Sequence, residues 1–219
     1  MKAYTCAASI AVALAMAAGA ASQNETRQSG ARFQVTEKTI DDIHAAMKSG
    51  NVTAHQLVQV YFDRINAFDK KGPAINCIIT LNPKALEEAD KLDASYKRLG
   101  MVGPLHGIPI LVKDEIDTAG MPTTLGTLVF KDYRPTRDAF VIERLKKAGA
   151  IILGKTTLSE YAAGDTFGSM FGVSRNPYDL ERTVGGSSGG SGCAINRELF
   201  LRRNWRRNTR VHSAARRLE

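Results

Sequence analysis

The residues best equipped for chemistry lie in one short tract, Gly185-Gly186-Ser187-Ser188-Gly189-Gly190-Ser191-Gly192. Paired glycines permit tight backbone that can present a hydroxyl and bare N–H groups to a substrate. A Gly/Ser run also suits a flexible linker. This one is short, follows the turn-rich Asn176-Pro177-Tyr178-Asp179, and leads into Cys193-Ala194-Ile195, an apolar start for a helix. A second candidate is Lys113, which ends the apolar run Ile108-Pro109-Ile110-Leu111-Val112. In open α/β sheets, ligands bind outside the carboxyl ends of strands. A lysine pressed against apolar walls loses its proton more readily and can serve as a base. Taken alone, Lys113 reads more simply as a side chain snorkelling to solvent.

Other candidates are weaker. Gly149-Ala150-Ile151-Ile152-Leu153-Gly154-Lys155-Thr156 fits the phosphate-loop spacing G-x-x-x-x-G-K-[ST]. Such a loop wraps phosphates with flexible backbone between a strand and a helix. Here the middle residues want to be the strand itself, and a helix precedes Gly149, so nucleotide binding is not expected. His106 reads as structural or surface rather than as a catalytic or metal-binding histidine. Asp114, Glu115 and Asp117 fit a carboxylate site or a solvated turn equally well. Four scattered histidines and three cysteines offer no H-x-x-x-H or C-x-x-C pair, so neither a metal nor a disulfide scaffold is expected.

These residues need elements to hold them. Thr39 can cap a helix reaching Ser49, with Asp41 and Asp42 in its first turn and Gly50 beyond it. Thr53-Ala54-His55-Gln56 is a capping box for a second helix, carried by Leu57, Val60, Tyr61 and Ile65 and ended by Gly72-Pro73. A strand is expected over 75–81 and a helix over 84–99, closed by Gly100. The unalternating run 108–112 suits a strand buried on both faces. A helix over 139–147 and a short buried strand over 150–153 follow. Alternating strands and helices give an α/β fold.

Three blocks in order resemble the amidase signature family over about residues 36–195: G-P-L-H-G-I-P-I-L-V-K-D at 103–114, G-K-T-T-L-S-E at 154–160, and N-P-Y-D-L-E-R-T-V-G-G-S-S-G-G-S at 176–191. The resemblance implies a mixed β-sheet core flanked by helices, in truncated form. It also implies hydrolysis or transfer of amide groups by a Ser–Ser–Lys triad without metal or organic cofactor. The family lysine falls on Lys113. The bridging serine, held by a cis peptide bond, falls on Ser187, and Ser188, Gly185 and Gly186 take supporting places. The implied partner is a small-molecule or peptide amide.

One part of the pattern is missing. The family nucleophile lies about two dozen residues beyond the bridging serine, in a block resembling G-T-x-T-G-G-S-I-R. Residues 196–219 contain no glycine, and position 211, which is 24 beyond Ser187, is Val. Ser213 lies at a similar distance among Arg and Ala, and Ser191 is too close. No nucleophile is identifiable, so the chain as given is expected to be inactive. Read one nucleotide later, with degenerate bases chosen freely, the codons of 201–210 can encode F-A-A-I-G-A-G-T-R-G, followed by S-I-R-R-P. Residues 196–219 are therefore read as a frame-shifted tail, with a genuine basic tail as the alternative.

The charge supports that division. The formal net charge is +8, but residues 197–219 hold 8 Arg and 2 Glu, leaving only +2 for the other 196 residues. A basic tail is not the folded basic face that nucleic-acid binding calls for. At the other end, Lys2, the apolar Ala7–Ala18 and Ala18-Gly19-Ala20 form a secretory signal over 1–21, followed by a lead-in at 22–35. A secreted or periplasmic location is expected, with no stable membrane association after cleavage. Homodimerisation stays open, and so does pairing of Cys77 with Cys193. Two other readings remain: the cytoplasmic A-type subunit of glutamyl-tRNA amidotransferase, against which the signal argues, and a non-catalytic fragment with an anion-binding tail.

Overall fold

The computed structural model describes residues 33–196. The expected signal, most of the lead-in and all but the first residue of the basic tail lie outside the described residues.

Local signals build the first two helices. In α1 (Ile40–Lys48), the Thr39 hydroxyl accepts from the Asp42 N–H while the Asp42 carboxylate accepts from the Thr39 N–H. Those bonds favour the charged form, so Asp42 is held below the usual carboxylate range. In α2 (Ala54–Ile65), Thr53 and Gln56 repeat the same reciprocal arrangement. Asp93 also accepts from the Ala54 and His55 N–H groups at 2.8 and 3.0 Å. The N-terminus of α2 is thus capped by its own sequence and by a later helix, α3 (Ala85–Leu99).

The sheet has three strands. β3 (Ile151–Thr156) is central, antiparallel to β1 (Ile78–Leu81) and parallel to β2 (Pro109–Lys113). All six residues of β3 are buried, as a strand covered on both faces requires. Its side chains alternate between two cores. Ile151 and Leu153 join α1, α2, α3 and Cys193-Ala194 of α5 (Gly189–Asn196), while Ile152 joins Val112, Met121 and Ile142. Ile142 belongs to α4 (Phe140–Lys147), the helix of the second face. The observed fold is the expected α/β arrangement of a mixed sheet flanked by helices.

Three boundaries differ from expectation. α2 does not run to Gly72: it ends at Ile65 and passes into a π-helical turn, Asn66–Lys70. The strand expected over 75–81 is confined to 78–81, because the buried Asp69 carboxylate takes the Cys77 N–H and Asn76 sits in the left-handed region. β3 extends to Thr156 instead of ending at Leu153, since Gly154, Lys155 and Thr156 pair with both neighbouring strands.

Two short ladders follow. β4 (Phe167–Gly168) pairs with β5 (Gly172–Val173), and β6 (Arg175–Asn176) pairs with β7 (Asp179–Thr183). They lead the chain into the Gly/Ser tract and α5.

Candidate active site

Lys113 closes β2 at the carboxyl end of the parallel pair. Its Nζ donates to the Ser187 Oγ at 2.8 Å across 74 residues of sequence. The same Nζ lies 3.2 Å from Glu115 Oε1; the Lys113 side chain is 12% exposed and that of Glu115 36%. The lysine therefore does not snorkel away to solvent.

Backbone contacts seat the serine. The Gly186–Ser187 peptide is cis. The Ser187 carbonyl accepts from the Ser159 N–H at 3.0 Å. The Gly185 carbonyl accepts from both the N–H and the hydroxyl of Thr166, at 3.0 and 2.7 Å. A Cβ on Gly186 would stand 1.8 Å from the Gly164 carbonyl oxygen, and one on Gly190 would stand 2.3 Å from Thr157 Oγ1. Only glycine permits these approaches. The tract is thus a packed loop rather than a linker, and α5 starts within it at Gly189 instead of at Cys193. Ser188 is exposed, and its carbonyl accepts from the Gly192 N–H inside α5. Ser191 shares a 2.8 Å hydrogen bond with Thr156.

A second lysine lies one strand away. Lys155 and Asp114 are both 0% exposed, with Nζ and Oδ1 3.3 Å apart. Lys155 also donates to the Ile116 carbonyl at 2.8 Å and to Thr123 Oγ1 at 3.1 Å. Asp114 accepts from the N–H and hydroxyl of Thr124. Burial raises Asp114 and lowers Lys155 from their ordinary values, while each partner opposes the other's shift. Asp114 is therefore no solvated turn, and Lys155 belongs to a strand and a buried ion pair rather than a phosphate loop. Sequence reasoning missed this pair. The available signal was a lysine in a strand pattern with apolar residues before it, because a fully buried lysine must be paired.

Two further features also escaped the sequence. The Ser159 hydroxyl is buried without a hydrogen-bond partner. Thr157 and Ser174 share a 2.6 Å hydroxyl contact beneath the loop. His106 is buried, its ring tilted against Tyr96, with Nδ1 accepting from the Val102 N–H at 3.3 Å. Burial and nearby His44 hold it below the usual imidazole range. It faces a cleft of about 760 Å³ among α1, α2 and α3, whose lining contains neither Lys113 nor Ser187. Among the described residues, no group of three or more His, Cys, Asp or Glu is arranged to hold a metal ion.

Known proteins are similar to this chain. The Amidase family model matches residues 56–201. The A-type subunit of glutamyl-tRNA(Gln) amidotransferase from Methanosarcina barkeri is 44% identical over 144 residues, covering 65% of this chain and 28% of the relative. Its counterpart from Alkaliphilus metalliredigens is 42% identical over 165 residues, covering 74% and 33%. The solved native peptide amidase from Stenotrophomonas maltophilia superposes with a TM-score of 0.73 at 40% identity, covering 75% of this chain and 35% of that one. The chain spans about a third of the length of these relatives. With a family match over most of its described length and a mixed sheet shared with solved members, this chain belongs to the amidase family.

Proposed function

We propose that this chain is the N-terminal part of an exported hydrolase that cleaves carboxylic amide C–N bonds by Ser–Ser–Lys chemistry. The observation that carries the reading is the 2.8 Å contact between Lys113 Nζ and Ser187 Oγ at the carboxyl end of β2. Neutral Lys113 draws a proton from Ser187, and Ser187 takes one from the attacking serine, so base strength passes through a hydroxyl relay. Run in reverse, the relay returns a proton to the leaving amine. The oxyanion of the tetrahedral intermediate needs backbone N–H donors, which glycine-rich loops present without side-chain obstruction. Ser188, Gly185 and Gly186 support the relay by shaping the loop.

On this reading the attacking serine is missing, because the stretch about two dozen residues beyond Ser187 contains no glycine and has Val at 211. Loss of a nucleophile costs about 10⁶-fold in a serine hydrolase with its other members intact. The chain as given is therefore expected to leave amides unhydrolysed. The test compares it with a version whose reading frame is corrected near Asn196 and whose downstream DNA is restored, on a panel of aliphatic, aryl and peptide amides. Turnover only in the corrected version supports the reading. Turnover in the uncorrected chain that disappears in Ser213→Ala overturns it.

A second reading is favoured by the matched curated relatives, which bear the name of the A-type glutamyl-tRNA(Gln) amidotransferase chain. The two readings differ in export and in acceptor. N-terminal sequencing of exported material that starts near Ala21 supports the hydrolase. Retention of residues 1–20, with the amide nitrogen transferred to glutamyl-tRNA rather than released as free ammonia or amine, supports the transferase.

A further inference from the structure

We propose that Cys77 and Cys193 close into a disulfide when the chain folds in an oxidising medium, tying α5 to the segment that enters β1.

Both cysteines are free thiols in one core cluster, 0% and 2% exposed. One strap of backbone, residues 174–175, touches Cys193 and the segment that leads into Cys77. The Arg175 N–H donates to the Ile75 carbonyl at 2.8 Å, and the Ser174 hydroxyl donates to the Asn76 carbonyl at 2.6 Å. Residues 174–175 thus run along 75–76, immediately before Cys77. From the other side, the Cys193 thiol donates to the Arg175 carbonyl at 3.1 Å. The Cys77 carbonyl accepts from the Thr157 N–H at 2.9 Å, and Gly190, one helical turn before Cys193, packs directly on Thr157. Both sulfurs are therefore enclosed in the same part of the core. Nothing in the Lys113–Ser187 contact uses either sulfur, so the pair is independent of the catalytic reading.

Chemistry decides when the bond forms. Burial above all, then the Cys193 thiol and the Asp69 carboxylate, push the Cys77 thiol well above its ordinary range. Thiol–disulfide exchange needs a thiolate. In the folded, reduced chain that form is suppressed and shielded, so exchange belongs to the folding chain, before burial. With a low-molecular-weight disulfide as oxidant, the Cys193 thiolate attacks one oxidant sulfur and expels a thiolate. The Cys77 thiolate then attacks the Cys193 sulfur of the mixed disulfide and expels the second. Two protein thiols lose two electrons and two protons, and one oxidant disulfide becomes two thiols. Once the core closes, the redox state is trapped, and the pair records the medium in which the chain folded.

The test uses the full chain with Cys6→Ser, which leaves two thiols. It is refolded from reducing denaturant into buffer containing oxidised glutathione, acid-quenched, alkylated, digested and mapped by mass spectrometry. The expected result is one peptide pair joined through Cys77 and Cys193, lost on reduction, with Tm about 5–10 °C above the reduced form. Cell-free synthesis in the same buffer, mapped identically, requires no refolding and is read in the same way. Free thiols, glutathione caps, links between chains, or a linked form no more heat-stable than the reduced one would overturn the proposal. The folded, reduced chain given the same oxidant should stay unlinked for hours. Rapid linkage there would overturn the assignment of the step to folding.

Discussion

Two lysines stand near the carboxyl ends of adjacent parallel strands, and their surroundings separate them. In the β2–β3 register, Lys113 lies opposite Thr156 and Lys155 lies opposite Val112, so they are one rung apart. Lys113 reaches a hydroxyl and a partly exposed carboxylate and keeps some access to solvent. Lys155 is sealed and spends its donors on Asp114, Thr123 and a backbone carbonyl. A lysine that must give and take protons needs a partner that passes them on. A lysine held in the core needs partners that fix its charge. The fold places the two on neighbouring rungs, and of the two Lys113 is the one with a hydroxyl partner and access to solvent.

Substitutions can break that contrast. The largest effect is expected on turnover. In a chain with its nucleophile block restored, Lys113→Ala and Ser187→Ala should each lower amide hydrolysis by about 10²–10⁴-fold. Steady-state kinetics with a parallel Tm measurement checks this, and near-full activity in Lys113→Ala would end the proposed mechanism. Next comes stability. Lys155→Met strands a buried carboxylate and should cost about 3–5 kcal/mol in urea unfolding, whereas Lys155→Met with Asp114→Leu should cost less than the single change.

The third effect depends on pH. The raised folded-state value of Asp114 means its own contribution is fully present below its unfolded value and is lost as pH rises through the folded one. Without Lys155 the carboxylate shifts further up. The deficit of Lys155→Met relative to the natural chain should therefore shrink between pH 7 and pH 4, and paired urea titrations at both values measure it. An unchanged deficit would mean Asp114 is not the stranded group. The smallest effect sharpens the contrast from the other side. Glu115→Gln removes the ion pair at Lys113 and should change stability by under about 1 kcal/mol, because that pair is partly solvated.

What the sequence made legible was local or carried by a long motif. Both capping boxes are visible because their donors and acceptors lie three residues apart. β2 is visible because burial on both faces leaves an unbroken apolar run. Lys113 and Ser187 came from family blocks, since no local rule joins residues 74 apart. What stayed hidden was chosen across the fold. Asp69 shortens β1 by taking the N–H of Cys77, eight residues on, after the backbone has turned. Asp114 and Lys155 meet across 41 residues. A lysine within a phosphate-loop spacing points to the wrong partner until the strand register is known.

The strand order has a consequence for how this protein is made. The last of the three strands to be synthesised takes the central place, β1–β3–β2. β1 and β2 have no contact to make with each other until residues 151–156 insert between them. A growing chain that has emerged only as far as α4 can form its helices, which depend on near neighbours, but none of its sheet. Long-range pairing is the slow part of folding, and segments awaiting it expose apolar surface. Ile108 to Val112 must wait in that condition while about 40 more residues are added, at 5–20 residues per second. The central strand is paired along both of its own sides in the final sheet, and the same placement leaves β2 without its partner for several seconds of synthesis.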